Sequence, residues 1–311
     1  MSTGLRGFLL AMTTAFFWGT LPIALKQVAD TVPPMTVVWV RFCVAAAWLW
    51  LVMPRPAKRS LPHDWSEARI YVIFALAIFC LGGNFVLYNT SVIYLSAPAA
   101  QIISQTGPLI LMLGGIGILR EPFCRIQGIG GIVLVAGLIL FFHDRLHELT
   151  RLDGGYGLGI AIGSAGALVW GMYGVAQKLL LREFSPAGTL RIIYTCVSLA
   201  LIPFAEPSTL TKLDSAQWVC LAYCCLNTIV AYGCFSKAIG TWHTAGVGAI
   251  LSLTPLFTLA GSRLTHVIAP NFFPDAPLDL INYTGALTVV AGAAALAVGP
   301  HLSRRRHFQS H

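Results

Sequence analysis

The chain has 311 residues, of which 56% are hydrophobic and only 10% are charged, and its mean hydropathy is +0.74. Because an average soluble domain has roughly 25% charged residues, this composition excludes an ordinary soluble protein and indicates one that lies almost wholly within a membrane. The formal net charge of +8 does not predict binding to nucleic acid, because Lys and Arg collect in the cytoplasmic loops of membrane proteins.

Apolar segments follow one another from end to end of the chain, with short loops between them. A membrane-spanning helix needs about 20 apolar residues, and a backbone exposed to lipid must satisfy its own hydrogen bonds. We therefore expect an all-α integral membrane fold with ten transmembrane helices. The ten predicted segments are 6–28, 34–53, 70–89, 97–118, 125–142, 155–177, 187–205, 216–238, 245–267 and 280–299.

The Lys and Arg residues of the loops predict how these helices are oriented. With a cytoplasmic N-terminus, thirteen of them lie on the cytoplasmic side and three on the outer side, and such an excess marks the cytoplasmic side. Both termini are therefore expected in the cytoplasm. The expected organisation is a first unit of five helices over 1–142, a periplasmic linker over 143–154, a second unit of five helices over 155–300 and a basic cytoplasmic tail over 301–311.

Short patterns recur in the two halves of the chain. A Trp-Gly pair with a Lys eight residues after the Trp occurs twice, 152 residues apart, and a proline of the fourth segment recurs in the ninth, 147 residues further on. Because each half has an odd number of helices, the second half is expected to enter the membrane inverted, and inverted repeats place a binding site at their interface. The matched pairs are Trp18 and Trp170, Lys26 and Lys178, and Pro108 and Pro255.

The same positions belong to longer motifs. In chain order these motifs are Phe17-Trp18-Gly19-Thr20-Leu21-Pro22 with Lys26, Arg41, Pro108-Leu109, Glu121, Trp170-Gly171 with Lys178, and Pro255-Leu256. In this order and duplication they resemble the EamA type of the drug/metabolite transporter superfamily. The resemblance implies ten helices in two EamA repeats and the transport of small metabolites, usually outward across the bacterial inner membrane.

The second half departs from this family pattern after its fourth helix. Glu121, which follows the fourth helix of the first half, has Ile268 at the matching position, and an insert over 269–277 makes the second half longer by eight residues. The insert is either a passive turn or an external lid. Glu121 precedes a proline at a helix start, where an acidic residue complements the helix dipole, so we expect it to anchor the cytoplasmic face, with gating as the alternative.

Polar and aromatic side chains inside the predicted spans indicate a pocket, because polar groups are costly in hydrocarbon. The fourth and ninth spans are expected to line it, since their prolines, Pro108 and Pro255, each free a backbone carbonyl. For every one of these side chains, helix–helix packing is the alternative role. The candidate pocket residues are Trp18, Asn84, Tyr88, Gln101, Gln105, Trp170, Tyr173, Tyr232, Ser252 and Thr254.

Cations within spans or at their ends form a second set of candidates. Arg41 and Arg263 lie within spans, where they are expected to contact a carboxylate of the substrate unless an ion pair or a carbonyl holds them. Lys26 and Lys178 lie at helix ends, where a cation suits the helix dipole, so we expect a structural or gating role. All twelve Asp and Glu residues fall in loops or at span ends, which favours a facilitator or a weakly proton-coupled carrier, because proton-driven carriers use buried carboxylates or histidines.

These residues favour export of amino acids or related zwitterions and weak acids, by alternating access between the two repeats. A carrier of sugar phosphates or nucleotide sugars is the alternative within the superfamily, and it would need several pocket cations. A lipid-acting membrane enzyme would need paired carboxylates, clustered histidines or a metal motif, and a non-transporting receptor would have little surface outside the membrane. The expected partners are a small-molecule substrate and the lipid bilayer, without cofactor, metal or nucleic acid, and the sequence leaves a homodimer open.

Overall fold

The computed structural model describes residues 3–52, 67–118, 123–144, 155–242, 244–274 and 278–309. Every regular element in these ranges is a helix, so the prediction of an all-α fold is confirmed for them. Some expectations fall on residues that lie outside the described ranges. These are Glu121, the linker after Asp144 and the end of the insert at 275–277.

The helices follow the predicted apolar segments closely. They are α1 (Thr3–Ala29), α2 (Pro34–Val52), α3 (Glu67–Tyr94), α4 (Ala97–Ser104), α5 (Thr106–Gly117), α6 (Arg125–Phe141), α7 (Gly155–Leu180), α8 (Pro186–Leu201), α9 (Ser215–Thr241), α10 (Thr244–Leu251), α11 (Thr254–Ile268) and α12 (Leu280–Gln309). Within the described part of the chain, six of them are long and apolar enough to cross a membrane singly, namely α1, α2, α3, α7, α8 with the turn that follows it, and α9. The apolar parts of α6 and α12 are shorter, and α12 continues into the predicted tail as far as Gln309.

The fourth and ninth segments are each broken into two helices, in contrast to the single helices that their apolar runs predict. One break lies at Gln105 and the other at Ser252, each three residues before the proline of its segment. Proline has no N–H, and its ring clashes with the carbonyl four residues earlier, which interrupts the helix in the preceding turn. In the second break, the carbonyl freed in this way belongs to Leu251 and accepts the hydroxyl of Thr254.

The most extensive helix contacts join the first half of the chain to the second. Helix α6 packs along α12, α3 packs along α7, and α1 packs along α9. Further contacts join α2 to α8, α5 to α7 and α1 to α11. The hydrophobic core is accordingly built from both halves together.

Glycines make the contact between α6 and α12 unusually close. A Cβ built on Gly285 would lie 2.4 Å from the backbone nitrogen of Phe141, and one built on Gly137 would lie 3.0 Å from the carbonyl oxygen of Gly285. Gly130 and Gly292 face each other in the same way about two turns further along both helices. Small residues of this kind let two helix backbones approach within a membrane, where packing and not hydrophobicity drives association.

A polar clasp closes one end of this seam. The Asn282 side-chain amide donates to the Phe141 carbonyl at 2.7 Å, and its Oδ1 accepts the backbone N–H of Asp279 at 2.8 Å. The Asp279 carboxylate in turn lies 3.3 Å from Nε2 of His143. These contacts tie the start of α12 to the end of α6.

Replacing Asn282 by Leu is expected to lower the melting temperature of the detergent-solubilised protein by several degrees. The change leaves the buried Phe141 carbonyl without its donor, a loss that costs about 1–3 kcal/mol, and it also removes the acceptor of the Asp279 N–H. The matched control is Thr284→Val on the same helix, where the lost hydroxyl is exposed and bonds only within α12. Equal melting temperatures for the two variants, measured by tryptophan fluorescence, would show that the clasp does not stabilise the seam.

Candidate functional site

Arg41 of α2 is only 1% exposed although it carries a charge. Its Nε donates to the Thr228 hydroxyl of α9 at 3.0 Å, and its guanidinium carbon lies 4.7 Å from the centre of the Phe85 ring on α3. Among the described residues, Nη1 has no hydrogen-bond partner and no carboxylate forms an ion pair with this side chain. The guanidinium is therefore held in place without being neutralised.

The partners of Arg41 explain why the fold tolerates this charge. The Thr228 hydroxyl donates to the Cys224 carbonyl one turn earlier at 2.9 Å, which leaves its lone pairs for the arginine. A cation over an aromatic face is stabilised by about 2 kcal/mol or more when water is absent. Burying a charge without a counter-charge still costs more than these contacts return, and an anionic group placed at Nη1 would remove that cost.

Aromatic rings surround this arginine. Phe42 lies 4.7 Å from Phe85 and 5.0 Å from Tyr194, measured between ring centres. Tyr232 lies 5.7 Å from Phe85 and 6.3 Å from Tyr194, and Trp18 lies 5.2 Å from Tyr232. These distances fall in the favourable range for aromatic pairs. We call the five rings, which come from α1, α2, α3, α8 and α9, the aromatic wall.

The predicted pocket aromatics meet at this wall. Trp18 packs against Tyr232 and, at 5.1 Å, against Phe235. Trp170 packs against the core cluster that contains Tyr232. Tyr173 is buried one turn from Trp170, and its hydroxyl has no hydrogen-bond partner in the ranges that the structure describes. The two tryptophans of the repeated motif therefore pack against the same core cluster.

The predicted polar residues of α3 and α4 lie beside the same region. The Tyr88 hydroxyl donates to Oε1 of Gln101 at 3.1 Å and lies within electrostatic range of Arg41. Asn84 donates to a backbone carbonyl of α7 at 2.9 Å, which is the packing role that was the alternative for it. Tyr88 and Gln101 thus form a polar pair next to the break in the fourth segment.

The polar candidates at the two helix breaks are buried. Gln105 and Ser252 are 6% and 4% exposed, and Thr254 is 2% exposed. Pro255 is buried in the first turn of α11, and Pro108 lies in the first turn of α5. Corresponding breaks with buried polar residues therefore occur in both halves.

The glycine of each Trp-Gly pair lies where its helix crosses a broken segment of the other half. A Cβ on Gly19 would lie 2.6 Å from the carbonyl oxygen of Thr254, and the Thr258 hydroxyl donates to the Gly19 carbonyl at 2.6 Å. A Cβ on Gly171 would lie 2.6 Å from the Ile110 side chain. We call these contacts the α1–α11 crossing and the α7–α5 crossing. These contacts explain the repeated Trp-Gly pair. The Gly allows two helices to cross closely, and the neighbouring Trp packs at the aromatic wall.

The remaining cations lie away from Arg41. Arg263 is exposed on α11, so it does not join the buried arginine as a second pocket cation. The Lys26 ammonium donates to the Val92 and Ile93 carbonyls at 2.8 and 2.6 Å, so it caps the C-terminus of α3 and not that of its own helix. Lys178 is half-buried near the end of α7.

Several residues of this region were not among the sequence-derived candidates. They are polar side chains within predicted spans, and that signal alone could have found them. A second buried arginine, 5% exposed, lies 4.5 Å from the Trp50 ring at the α2–α8 contact. The residues are Arg191, Tyr194, Asn227 and Thr228.

Comparison with known proteins agrees with this architecture. The chain is 41% identical over 295 residues to YhbE of Escherichia coli K12, described as an uncharacterized inner membrane transporter, with 94% of this chain and 91% of YhbE covered. It is 36% identical over 298 residues to an uncharacterized transporter of Haemophilus influenzae, with 96% of each protein covered. A protein of known crystal structure matches with a TM-score of 0.61 over 93% of this chain and 96% of its own, at 18% identity, which shows a likeness of fold alone.

The family comparison covers both halves of the chain. Residues 5–143 and residues 157–298 each match the EamA-like transporter family. The two relatives are described as transporters, and the chain aligns with more than nine-tenths of the length of each. The six long apolar helices of the described residues fit several membrane crossings. The chain therefore belongs to the EamA-like transporter family, and it is a multi-pass inner-membrane transporter of small molecules and not an enzyme.

Proposed function

We propose that the chain exports small zwitterionic solutes, amino acids above all, by alternating access between two inverted five-helix repeats that cross the membrane ten times. The observation that carries the substrate class is a set of buried polar atoms without partners among the described residues. The donors are Nη1 of Arg41 and the hydroxyls of Tyr173 and Tyr194, and the acceptors are the Oδ1 atoms of Asn89 and Asn227. A carboxylate accepts and an ammonium donates, so a zwitterion satisfies both sets at once.

Both acceptor amides lie close to the contacts of Arg41. The Asn89 amide nitrogen donates to the backbone carbonyl of Phe85 at 2.6 Å, and the ring of that residue lies under the guanidinium. Asn227 precedes Thr228, the partner of Nε, and its amide nitrogen donates to the Phe17 carbonyl. With each nitrogen committed to a carbonyl, each amide oxygen is left to accept from a ligand.

Reciprocal contacts support the inverted repeat. The α1–α11 crossing corresponds to the α7–α5 crossing, and the packing of α1 along α9 corresponds to that of α7 along α3. Helix α6 packs against α12, its counterpart in the second half, and α2 packs in the same way against its counterpart α8. Broken helices at the interface of inverted repeats form the substrate sites of many transporters, and both breaks here have buried polar residues.

The position of the second buried arginine favours a zwitterion over a sugar phosphate. Arg191 lies over Trp50, which is nine residues from Arg41 along α2. At 1.5 Å per residue, Arg41 and Trp50 lie about 13 Å apart along the axis of α2, so Arg191 contacts this helix between two and three turns away from Arg41. One guanidinium suits a single carboxylate, whereas a phosphate dianion or diphosphate is bound by several cations together.

A matched ligand series tests this proposal. L-leucine, its methyl ester, 3-methylbutylamine, 4-methylpentanoate and glucose 6-phosphate are compared for thermal protection of the protein in nanodiscs. Leucine is expected to protect at the lowest concentration, and the ester and the amine, which lack the carboxylate, at concentrations at least tenfold higher. Stronger protection by glucose 6-phosphate than by leucine would overturn the zwitterion assignment.

The direction of transport needs a cellular measurement. Cells loaded with a leucine-containing dipeptide are expected to release more leucine into the medium when they overproduce the chain. Cells that overproduce the Arg41→Gln variant serve as the control, because they have the same membrane load without the guanidinium. Lower leucine in the medium of the overproducing cells would make the chain an importer.

A further inference from the structure

A cavity of about 250 Å³ lies at the C-terminal end of α1, away from Arg41. It is bounded by α1, the turn between α3 and α4, the second half of α11 and residues 273–274 of the insert. Its volume is below the roughly 300 Å³ at which drug-sized pockets begin, so it suits a small solute. The residues that matter for its chemistry are Lys26, Gln27, Ser96, Ser262, Thr265 and Phe273. We call this space the α1 cavity.

The α1 cavity is rich in donors. An ammonium has three N–H groups, and Lys26 gives two of them to the Val92 and Ile93 carbonyls, which leaves the third for the cavity. The Ser96 hydroxyl oxygen accepts the backbone N–H of Ala99, so its own hydrogen remains to donate. Asp30, the carboxylate within electrostatic range of Lys26, is exposed and lies outside the cavity lining. Because the cavity lining contains hydrogen-bond donors and a cation but no carboxylate, it favours an anionic ligand.

This polar lining does not follow from the duplication of the chain. At the repeat offsets of 152 and 147 residues, three polar residues of the cavity match residues without polar side chains at the opposite end of the molecule. The matches are Leu179 for Gln27, Gly115 for Ser262 and Ile118 for Thr265. These three polar side chains therefore have no polar counterpart at the matching positions, and neither does the insert, whereas Lys26 matches Lys178.

The insert is seated on the cavity by a side chain of α11. Because a carbonyl can only accept, Nδ1 of His266 donates to the Phe273 carbonyl at 2.9 Å. This contact places Phe273 and Pro274 over the α1 cavity. The cavity also adjoins the α1–α11 crossing, since its lining residue Ile23 lies one turn beyond Gly19 and packs against Gly261 of α11.

We propose that the α1 cavity is a second binding site, separate from Arg41, for a small solute with a single carboxylate. The third N–H of Lys26 and the Ser96 and Ser262 hydroxyls bind the carboxylate, and Phe273 covers the apolar part. The site lies at one mouth of the pathway, where it holds a solute before or after passage through the α1–α11 crossing. This inference rests on the proposed function in two ways. The comparison at the repeat offsets uses the inverted repeat, and the carboxylate of the solute is the one assigned to the transported substrate.

The number of bound probe molecules tests this inference. Binding of 4-fluorobenzoate to the full chain in phosphatidylcholine nanodiscs is measured by equilibrium dialysis with ¹⁹F detection, and neutral lipid keeps anionic headgroups from competing. The unmodified chain is expected to bind two equivalents of 4-fluorobenzoate. Each of the single variants Arg41→Gln, Lys26→Met and Ser262→Phe is expected to bind one. Combining Arg41→Gln with Ser262→Phe is expected to remove both. Lys212→Met, at an exposed lysine elsewhere, is the matched control, and 4-fluorobenzamide tests the need for charge.

The outcomes separate this inference from the proposed function. A single equivalent that only Arg41→Gln removes overturns the second site and leaves the first. A single equivalent that only Lys26→Met and Ser262→Phe remove supports the α1 cavity and overturns the role of Arg41. Because Ser262→Phe fills the space and leaves the Lys26 contacts in place, loss of binding in that variant cannot be assigned to loss of the α3 cap. Equal binding of 4-fluorobenzamide overturns the anion site.

Discussion

Replacing Arg41 by Gln is expected to abolish saturable leucine transport in proteoliposomes and to weaken leucine binding roughly 10- to 100-fold. A hydrogen bond to a charged group contributes about 1.5–3 kcal/mol, and each 1.4 kcal/mol is a factor of about ten in affinity. The variant loses that bond to the substrate carboxylate at Nη1, while the aromatic wall stays in place. Binding is measured by isothermal titration calorimetry in nanodiscs.

The same substitution is expected to leave the melting temperature of the empty protein unchanged or raised. The buried guanidinium has no counter-charge among the described residues, so a neutral, shorter side chain removes a desolvation cost. Arg41→Lys keeps the charge but loses the planar fork, and it should bind more weakly than the parent and more tightly than Arg41→Gln. Arg263→Gln, at an exposed arginine, is the matched control. A lower melting temperature for Arg41→Gln with unchanged leucine binding would make Arg41 a structural residue.

Valine in place of Gly19 or Gly171 is expected to stop transport, with opposite effects on the two openings of the pathway. A Cβ at Gly19 would meet the Thr254 carbonyl oxygen at 2.6 Å, so valine forces α1 away from α11, and valine at Gly171 forces α7 away from α5. Gly19 lies ten residues before the end of α1 and Gly171 nine before the end of α7. In an inverted repeat those helix ends lie on opposite sides of the membrane.

Leucine binding to right-side-out and inside-out vesicles distinguishes the two variants. Gly19→Val should bind leucine from the outer side and Gly171→Val from the cytoplasmic side, while neither carries it across. Gly233→Val is the control, because a Cβ at Gly233 meets nothing within 4 Å. Binding by both variants from the same side would contradict the inverted arrangement.

The helices and the first elements of the site could be predicted because their signals are local. Runs of apolar residues predict helices wherever they occur, and a charge such as Arg41 stands out inside such a run. The pairing of Trp18 with Trp170 shows up as a fixed offset in the sequence. None of these inferences needs knowledge of which helices touch.

The remaining features depend on contacts between distant parts of the chain. The Thr228 hydroxyl that holds Arg41 is 187 residues away, and nothing about this threonine in isolation marks it. Whether Arg263 is buried depends on which face of α11 meets a neighbour, and a single helix with polar residues on several faces does not decide that. Gly130 matches Gly285 at an offset of 155 residues, but this match does not show that Gly130 packs against Gly292.

The helix breaks show a third limit. Pro108 and Pro255 predict a disturbance of the helix, because proline removes a donor and displaces a carbonyl. Whether the helix bends or divides depends on the groups that take over the freed carbonyl. In the ninth segment this group is the Thr254 hydroxyl, one of many hydroxyls that could have faced elsewhere.

The pairing of α6 with α12, α3 with α7 and α1 with α9 bears on how such a protein could have originated. A lone five-helix polypeptide would leave the glycine-lined face of its last helix and two long apolar faces without partners. Under the proposed inverted arrangement, an ancestor of that size would have had to insert into one bilayer in both orientations and form antiparallel dimers. Fusion of the two genes would then have preserved interfaces that already existed, and the joining segment would have added a tether to a dimer that was already complete.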